Sequence, residues 1–254
     1  MEFSQAQAVA SRLEVLDESA STNAALRVLS ADAAAWPHLS AVVTDNQTAG
    51  RGRLDRTWEA PAGSAIAVSV LLRSLPSDPT AMGWIPLVAG LAMADAITVQ
   101  LPGHDVAVKW PNDVLVGGRK ISGILAEATG PAVVIGVGVN TAMTPAQLPV
   151  PTATSFAAIG AVADEDRLVA DFLRRLDGLL SALVAWGDAD RSGVHAAVSA
   201  RCATLGRDVE VSLPDGSTLR GVARRLEPDG RLCVADGDAE HVIAAGDVVH
   251  ARLA

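Results

Sequence analysis

The chain has 254 residues, half of them hydrophobic, and a formal net charge of -9. That length holds one large domain or two unequal ones, at ~100–200 residues per domain. A nucleic-acid binder shows a basic face, so the net acidity argues against DNA or RNA as the main partner.

Met1-Glu2-Phe3-Ser4-Gln5 has neither the basic nor the apolar region of a signal peptide, and a cytoplasmic location is expected. Val9, Leu13, Val15 and Leu16 read as a short helix followed by a strand. Ser21 or Thr22, ahead of the helix-forming run 24–29, is an N-cap candidate. The exposed amides of such a first turn can also hold a ligand. Residues 41–45 read as a strand that leads into Gln47-Thr48-Ala49-Gly50-Arg51-Gly52-Arg53-Leu54-Asp55-Arg56-Thr57-Trp58. Gly50 and Gly52 let the backbone approach a ligand closely. Arg51, Arg53 and Arg56 present planar forks suited to phosphate and carboxylate. A minor-groove DNA arm has a similar composition, but this loop lies between two core strands rather than at a free terminus. Its three like charges repel, so the loop is expected to be mobile until an anion binds.

Residues 64–72 read as a central strand and 81–100 as a helix, with Leu87, Leu91, Ala94 and Ile97 along one stripe and Pro86 in its first turn. No run approaches ~20 uninterrupted apolar residues, so no membrane span is expected. Residues 106–127 read as a hairpin: Val106, Val108, Val114 and Val116 are β-branched, Gly117-Gly118 supplies the turn, and Ile121, Ile124 and Leu125 resume the strand. Lys109, Asn112, Asp113 and Lys120 sit among these apolar residues. Such groups are costly to bury unpaired, and together they suit a negatively charged ligand. In 132–140, glycines alternate with valines, a mark of close approach by a ligand or a neighbouring backbone; Asn140 closes the strand.

Pro145, Pro149 and Pro151 mark a surface loop. From Asp164 to Trp186, Leu168, Phe172, Leu176, Leu179, Leu180 and Leu183 recur at three and four, which predicts a long amphipathic helix with a core-facing stripe. Residues 187–203 form a further helical or irregular link. From Thr204 onward, short apolar runs alternate with Pro214-Asp215-Gly216, Pro228-Asp229-Gly230 and Asp236-Gly237-Asp238, the signature of a small all-β barrel. About fifty residues is small for independent stability, so this module is expected to pack on the first domain. Cys202 and Cys233 are too few and isolated for a disulfide framework, pair with no histidine at metal spacing, and read as reduced thiols.

The loop 47–53 with Trp58 resembles the ligand-binding loop of biotin–protein ligases. Lys109-Trp110-Pro111-Asn112-Asp113 resembles that family's central strand motif, and Arg119-Lys120-Ile121-Ser122-Gly123-Ile124-Leu125 the strand with its essential lysine. Ser21-Thr22-Asn23 and Gly136-Val137-Gly138-Val139-Asn140 follow the family's order, and the C-terminal module resembles its SH3-like domain. The resemblance covers most of residues 14–140. It implies an α+β fold: a mixed-sheet catalytic domain flanked by helices, over 1–203, and an SH3-like barrel over 204–254. It implies that biotin and ATP with Mg²⁺ give biotinyl-5′-AMP, and that the biotinyl group then passes to a lysine of the biotin carboxyl carrier domain of acyl-CoA carboxylases.

The roles implied for this chain follow the matching motifs. Lys120, Arg51 and Asp113 would be catalytic, and Asp113 would take either Mg²⁺ or the incoming lysine. Ser21, Thr22, Asn23, Gln47, Gly50, Arg51, Gly52, Lys120 and Gly123 would hold biotin. Arg53, Arg56, Trp58, Lys109, Asn112 and Asn140 would hold ATP or the adenylate; for Lys109 and Asn112 the alternative is to orient Asp113 through hydrogen bonds. Residues 117–120 lack the glycine spacing and following hydroxyl of a Walker A loop. Many relatives carry an N-terminal helix-turn-helix. Here the motifs begin within the first two dozen residues, so direct DNA binding is not expected. Asp55 lowers the loop's charge relative to relatives. The family includes monomers and sheet-mediated dimers, so a monomer or weak homodimer is expected. The competing readings are a lipoate or octanoyl ligase or transferase on the same core, and a non-enzymatic biotin sensor.

Overall fold

Residues Ala65–Leu72 are buried at every position, the pattern of a strand covered on both faces. The computed structural model describes residues 2–53, 56–213, 216–244 and 246–250 and places this strand, β5, near the middle of a seven-stranded sheet. The other members are β1 (Arg12–Val15), β2 (Ser40–Thr44), β6 (Val106–Lys109), β7 (Asp113–Val116), β8 (Arg119–Thr129) and β9 (Ala132–Asn140). Their order is β1-β2-β5-β9-β8-β7-β6. Only β1 and β2 run parallel; every other neighbour is antiparallel, so the sheet is mixed as expected. Two short strands, β3 (Gly50–Arg51) and β4 (Thr57–Trp58), pair as a separate ribbon.

The hairpin expected over 106–127 is three strands, not two. The extra reversal falls at Trp110–Asn112, where Lys109 and Asp113 end up as cross-strand partners. The Gly117-Gly118 turn is as expected, with φ of 55° and 74°.

Helices divide unequally between the two faces. One face carries α3 (Ile85–Gln100), α4 (Glu165–Trp186) and α5 (Val194–Arg201) over the main core. The other carries α2 (Thr22–Leu29), over β2, β5 and β9, with a small cluster around Leu26, Trp36, Val42 and Leu71. A short α1 (Ser4–Gln7) packs on α4. On the rest of that face, over β8, β7 and part of β9, the described residues place no helix, and the cleft lies there.

The helix expected over 81–100 is a 3₁₀ turn, Pro79–Trp84, followed by α3 with Pro86 in its first turn. It is buried nearly all round rather than along one stripe: eleven of its sixteen residues lie inside. Pro79–Gln100 is long and apolar enough by composition to cross a membrane, but 67% of its most apolar window is buried in the fold, as in a core helix. The α4 helix is as expected: Asp164 caps it by accepting from Arg167 N–H, and Gly187 ends it in the left-handed region.

After Thr204 come β10 (Asp208–Ser212), β11 (Thr218–Leu226), β12 (Leu232–Asp236), β13 (Ala239–Ile243) and β14 (Asp247–His250). They form an antiparallel sheet in the order β13-β12-β11-β10-β14, an open sheet rather than the closed barrel expected. Edge strand β13 exposes four of its five residues, as an uncovered edge does. Residues 214, 215 and 251 of the predicted turns and last strand lie outside the described residues.

The module is docked through the turn 228–230. Trp84 Nε1 donates to Pro228 O at 2.8 Å, and Trp110 Nε1 donates to Gly230 O at 3.0 Å. Both indoles are fully buried. Cys202 and Cys233 are also buried, which pushes both thiols up from their ordinary value. The Trp110→Phe variant strands the Gly230 carbonyl in the domain joint. We expect a loss of about 2 kcal/mol in urea unfolding; an unchanged midpoint would show that the bond does not hold the module.

Candidate active site

In an antiparallel sheet, directly opposed residues point to the same face. One such row crosses six strands: Thr44, Ala67, Gly138, Gly123, Asp113 and Lys109. The next row runs Val42, Ser69, Gly136 and Leu125. Three glycines and an alanine therefore strip the middle of this face of side chains. Above that floor lies a cleft.

The Trp58 indole rests directly on the floor. A Cβ built on Gly138 would lie 2.5 Å from Trp58 Cε2, and one on Gly123 would lie 3.3 Å from Trp58 Cζ3. Close approach of an aromatic ring, not turn geometry, is what these glycines permit.

Polar groups close one end. Ser21 caps α2, its Oγ accepting from Ala24 N–H. Thr22 donates to Gln47 Oε1 from both its amide, at 3.0 Å, and its hydroxyl, at 3.1 Å. Ser69 Oγ is hydrogen-bonded to Thr22 Oγ1 at 2.8 Å and to Asn23 Oδ1 at 2.6 Å. Asn23 Nδ2 donates to Glu127 Oε2 at 2.8 Å. Its carboxamide occupies the space that a Gly136 side chain would need. Ser21, Thr22 and Asn23 are all buried, so this cap is preorganised.

The other wall is charged. Lys120 Nζ pairs with Asp113 Oδ1 at 2.6 Å and lies 5.9 Å from the Trp58 ring centroid. The Lys120 backbone is clamped on both sides: its amide donates to Thr152 O and its carbonyl accepts from Thr154 N–H. Arg51 Nη2 donates to both oxygens of Glu127, at 3.1 and 3.2 Å. Arg53 Nη1 donates to Asn112 Oδ1 at 3.0 Å and to Gly246 O, of the C-terminal module, at 3.5 Å. Asn112 is fixed in turn by donating from Nδ2 to Ile124 O at 2.8 Å.

Most of the residues predicted from the sequence meet here. Ser21, Thr22, Asn23, Gln47, Arg51, Gly52, Arg53, Arg56, Trp58, Asn112, Asp113, Lys120 and Gly123 all line the cleft. Three do not. Gly50 packs against Gln47 and Trp58 at the base of the ribbon. Lys109 stands at the outer end of its row, on edge strand β6. Asn140 is buried beyond the cleft, its Nδ2 donating to Thr154 O at 2.9 Å, so its amide is committed to the fold. Asn112 bonds to Ile124 and Arg53 rather than orienting Asp113. The sequence reading treats the arginine loop as lacking an anion, whereas Glu127 supplies one; Asp55 lies outside the described residues.

Sequence reasoning missed Ser69, Glu127 and Gly246. The period of two along β8 puts residues 123, 125 and 127 on one face, which points to Glu127. Ser69 is the lone hydroxyl in an otherwise apolar β5. No sequence signal brings Gly246 to the cleft.

A glycine-floored slot with a polar cap at one end and fixed cations at the other defines a site for an elongated ligand with an apolar body and an anionic end. Residues 17–140 match the Biotin/lipoate A/B protein ligase family, and residues 204–251 match the Biotin protein ligase C terminal domain. The chain is 39% identical to the biotin–[acetyl-CoA-carboxylase] ligase of Mycobacterium tuberculosis, across 95% of this chain and 90% of that protein. It is 34% identical to the ligase of the same name from Paracoccus denitrificans, across 82% and 88%. The biotin protein ligase of Aquifex aeolicus, solved in complex with biotin and ATP, shares the fold at a TM-score of 0.78, with 24% identity over 96% of this chain and 100% of that one. The chain belongs to the biotin protein ligase family.

The cap has little slack. Gly136→Ala drives a methyl group into the Asn23 carboxamide. Overpacking of this kind costs about 1–3 kcal/mol, expected as a lower urea midpoint with an unchanged slope. A wild-type midpoint would show that the cap yields freely.

Proposed function

We infer that this protein is a biotin–[acetyl-CoA-carboxylase] ligase, an amide-forming enzyme that activates biotin with ATP to biotinyl-5′-AMP and transfers biotin to a lysine of a carboxylase carrier domain. The observation that carries the reading is the pairing of Lys120 and Asp113 on adjacent strands at the cationic end of the glycine-floored cleft.

The chemistry sets an electrostatic problem that these groups answer. In the first step a biotin carboxylate oxygen forms a bond to the α-phosphorus, and the bond from that phosphorus to the β-phosphate bridging oxygen breaks, releasing pyrophosphate. Both reactants are anionic, so cations must neutralise the encounter. Lys120 is the proposed donor to the carboxyl oxygen and the α-phosphate, and Arg51, Arg53 and Arg56 would clamp phosphate oxygens. Rigid strands hold Lys120 to tolerance, while the loop can close and keep water from the activated acyl group. In the second step the acceptor amine attacks the acyl carbon, the acyl–phosphate bond breaks, and AMP leaves with the electron pair. Once Lys120 turns to phosphate, the Asp113 carboxylate is released to steer that amine and take its proton.

The polar cap of Ser21, Thr22, Asn23 and Gln47 is proposed for the ureido end of biotin, with Gly123 beside its rings, and Trp58 for the adenylate. Lys109 and Asn140, which stand away from the cleft, are not assigned a ligand. Mg²⁺ is proposed to enter with the ATP phosphates. The described residues hold no group of three His, Cys, Asp or Glu able to bind a metal, and Asp113 Oδ1 is taken up by Lys120. The division at 203/204, a monomer or weak dimer and a cytoplasmic location belong to the same proposal.

A Lys120→Ala variant is expected to fold normally and to form biotinyl-AMP about 10²–10³-fold more slowly. Wild-type adenylate formation by that variant would remove Lys120 from the mechanism. ATP-dependent transfer of biotin to a purified carrier domain tests the activity as a whole, and transfer of lipoate in its place would overturn it.

A further inference from the structure

An acid stands where the proposed function calls for cations. Beyond the arginine loop, a cavity adjoining the cleft is lined by Arg51, Arg53, Arg56, Thr57, Leu125 and Glu127. Three guanidinium groups there suit a phosphate, and a carboxylate among them would repel one. Glu127 is nonetheless held firmly. It is paired with Val134 across β8 and β9, its side chain is 18% exposed, and it accepts from three residues. Arg51 reaches both of its oxygens, Arg27 Nη1 donates at 3.2 Å, and Asn23 Nδ2 donates at 2.8 Å.

We propose that Glu127 is a positioning residue that acts as the resident counter-ion of Arg51, holding the arginine loop on the sheet until the nucleotide phosphate takes its place. The contact set is built for exchange. When Arg51 leaves, Glu127 keeps Arg27 and Asn23, so no buried charge is stranded. Arg51 itself is 47% exposed, and a half-exposed ion pair is weak enough for a multiply charged phosphate to displace. Through Asn23 the same carboxylate touches the polar cap, so Arg51 and the cap share one partner. The proposal rests on the ligase reading for the identity of the incoming anion, but the Arg51–Glu127 contact stands by itself.

Limited trypsin cleavage after Arg53 and Arg56, read by mass spectrometry on the ligand-free full chain, tests the holding contact. Glu127→Gln keeps an acceptor for Asn23 but removes the charge. Cleavage is expected to rise about three- to fivefold, as loss of a partly exposed ion pair allows. In an Arg51→Gln background the same change is expected to have no further effect. With ATP and biotin added, wild type and Glu127→Gln are expected to be protected equally, and the variant's KM for ATP is expected to fall about three- to fivefold at unchanged kcat.

Unchanged ligand-free cleavage, or an increase that persists in the Arg51→Gln background, would overturn the proposal, the second outcome marking general destabilisation. A raised KM would also overturn it, placing Glu127 as a prop for Arg51 in the bound state. If the protein bound neither ATP nor biotin, the ligase reading would fail while the two ligand-free arms still decided the role of Glu127.

Discussion

A sheet can hold a flat ligand against its face only where its own side chains are removed, and the rest of this site depends on that removal. Ala67, Gly138 and Gly123 are cross-strand neighbours on β5, β9 and β8, and Gly136 lies one step along β9. Glycine in a strand interior loses packing and gains unfolded-state entropy, so each position is costly in isolation. The cost is offset because both flanking strands continue into apolar cores and because Trp58 covers the bared backbone. Substitution on any one strand would tilt the indole away from the others.

Charge is organised around the same floor. Two cations of the cleft are paired with acids of the same sheet, Lys120 with Asp113 and Arg51 with Glu127. A carboxylate and a triphosphate entering this cleft meet cations that are already placed, and exchange one anion for another. Exchange requires less reorganisation than collapse of an unpaired basic loop around a ligand. The acids are thus part of the binding device as much as the bases, and they keep a site with many cations folded inside a chain of charge -9.

The sequence made the strands and the cleft's main residues legible because period-two apolar runs mark strands and because arginine–glycine alternation has no purpose in a plain turn. Other features depend on pairing that a single chain does not display. The reversal at Trp110–Asn112 looks like continuation of a strand, since its Trp and Pro are apolar and only the fold turns them toward the C-terminal turn. Asn140 reads as a ligand group by its place at a strand end, yet a loop that returns at Thr154 claims its amide. The period of two along β8 gives the face of Glu127, but not that Asn23, Arg27 and Arg51 converge on its carboxylate. Barrel closure was illegible for a related reason: turn spacing predicts strands, but not whether the two edge strands, β13 and β14, meet.

The C-terminal module joins this logic through Arg53. That guanidinium has one acceptor on the central motif, Asn112, and one on the module, the Gly246 carbonyl. Docking of the module in turn rests on indole donors from Trp84 and Trp110, and Trp110 adjoins the Pro111-Asn112 segment in the chain. His195 of α5 reinforces the joint, its ring 5.1 Å from that of Trp84 and its Nε2 3.1 Å from Leu226 O. The geometry of a loop arginine is therefore linked to how a separate β-module sits, through the Gly246 carbonyl and through the single residue, Pro111, between Trp110 and Asn112. Asn112 is held to β8 by Ile124 through both its backbone carbonyl and its side chain, so a displacement of the module would take away the Gly246 acceptor and leave the Asn112 acceptor in place.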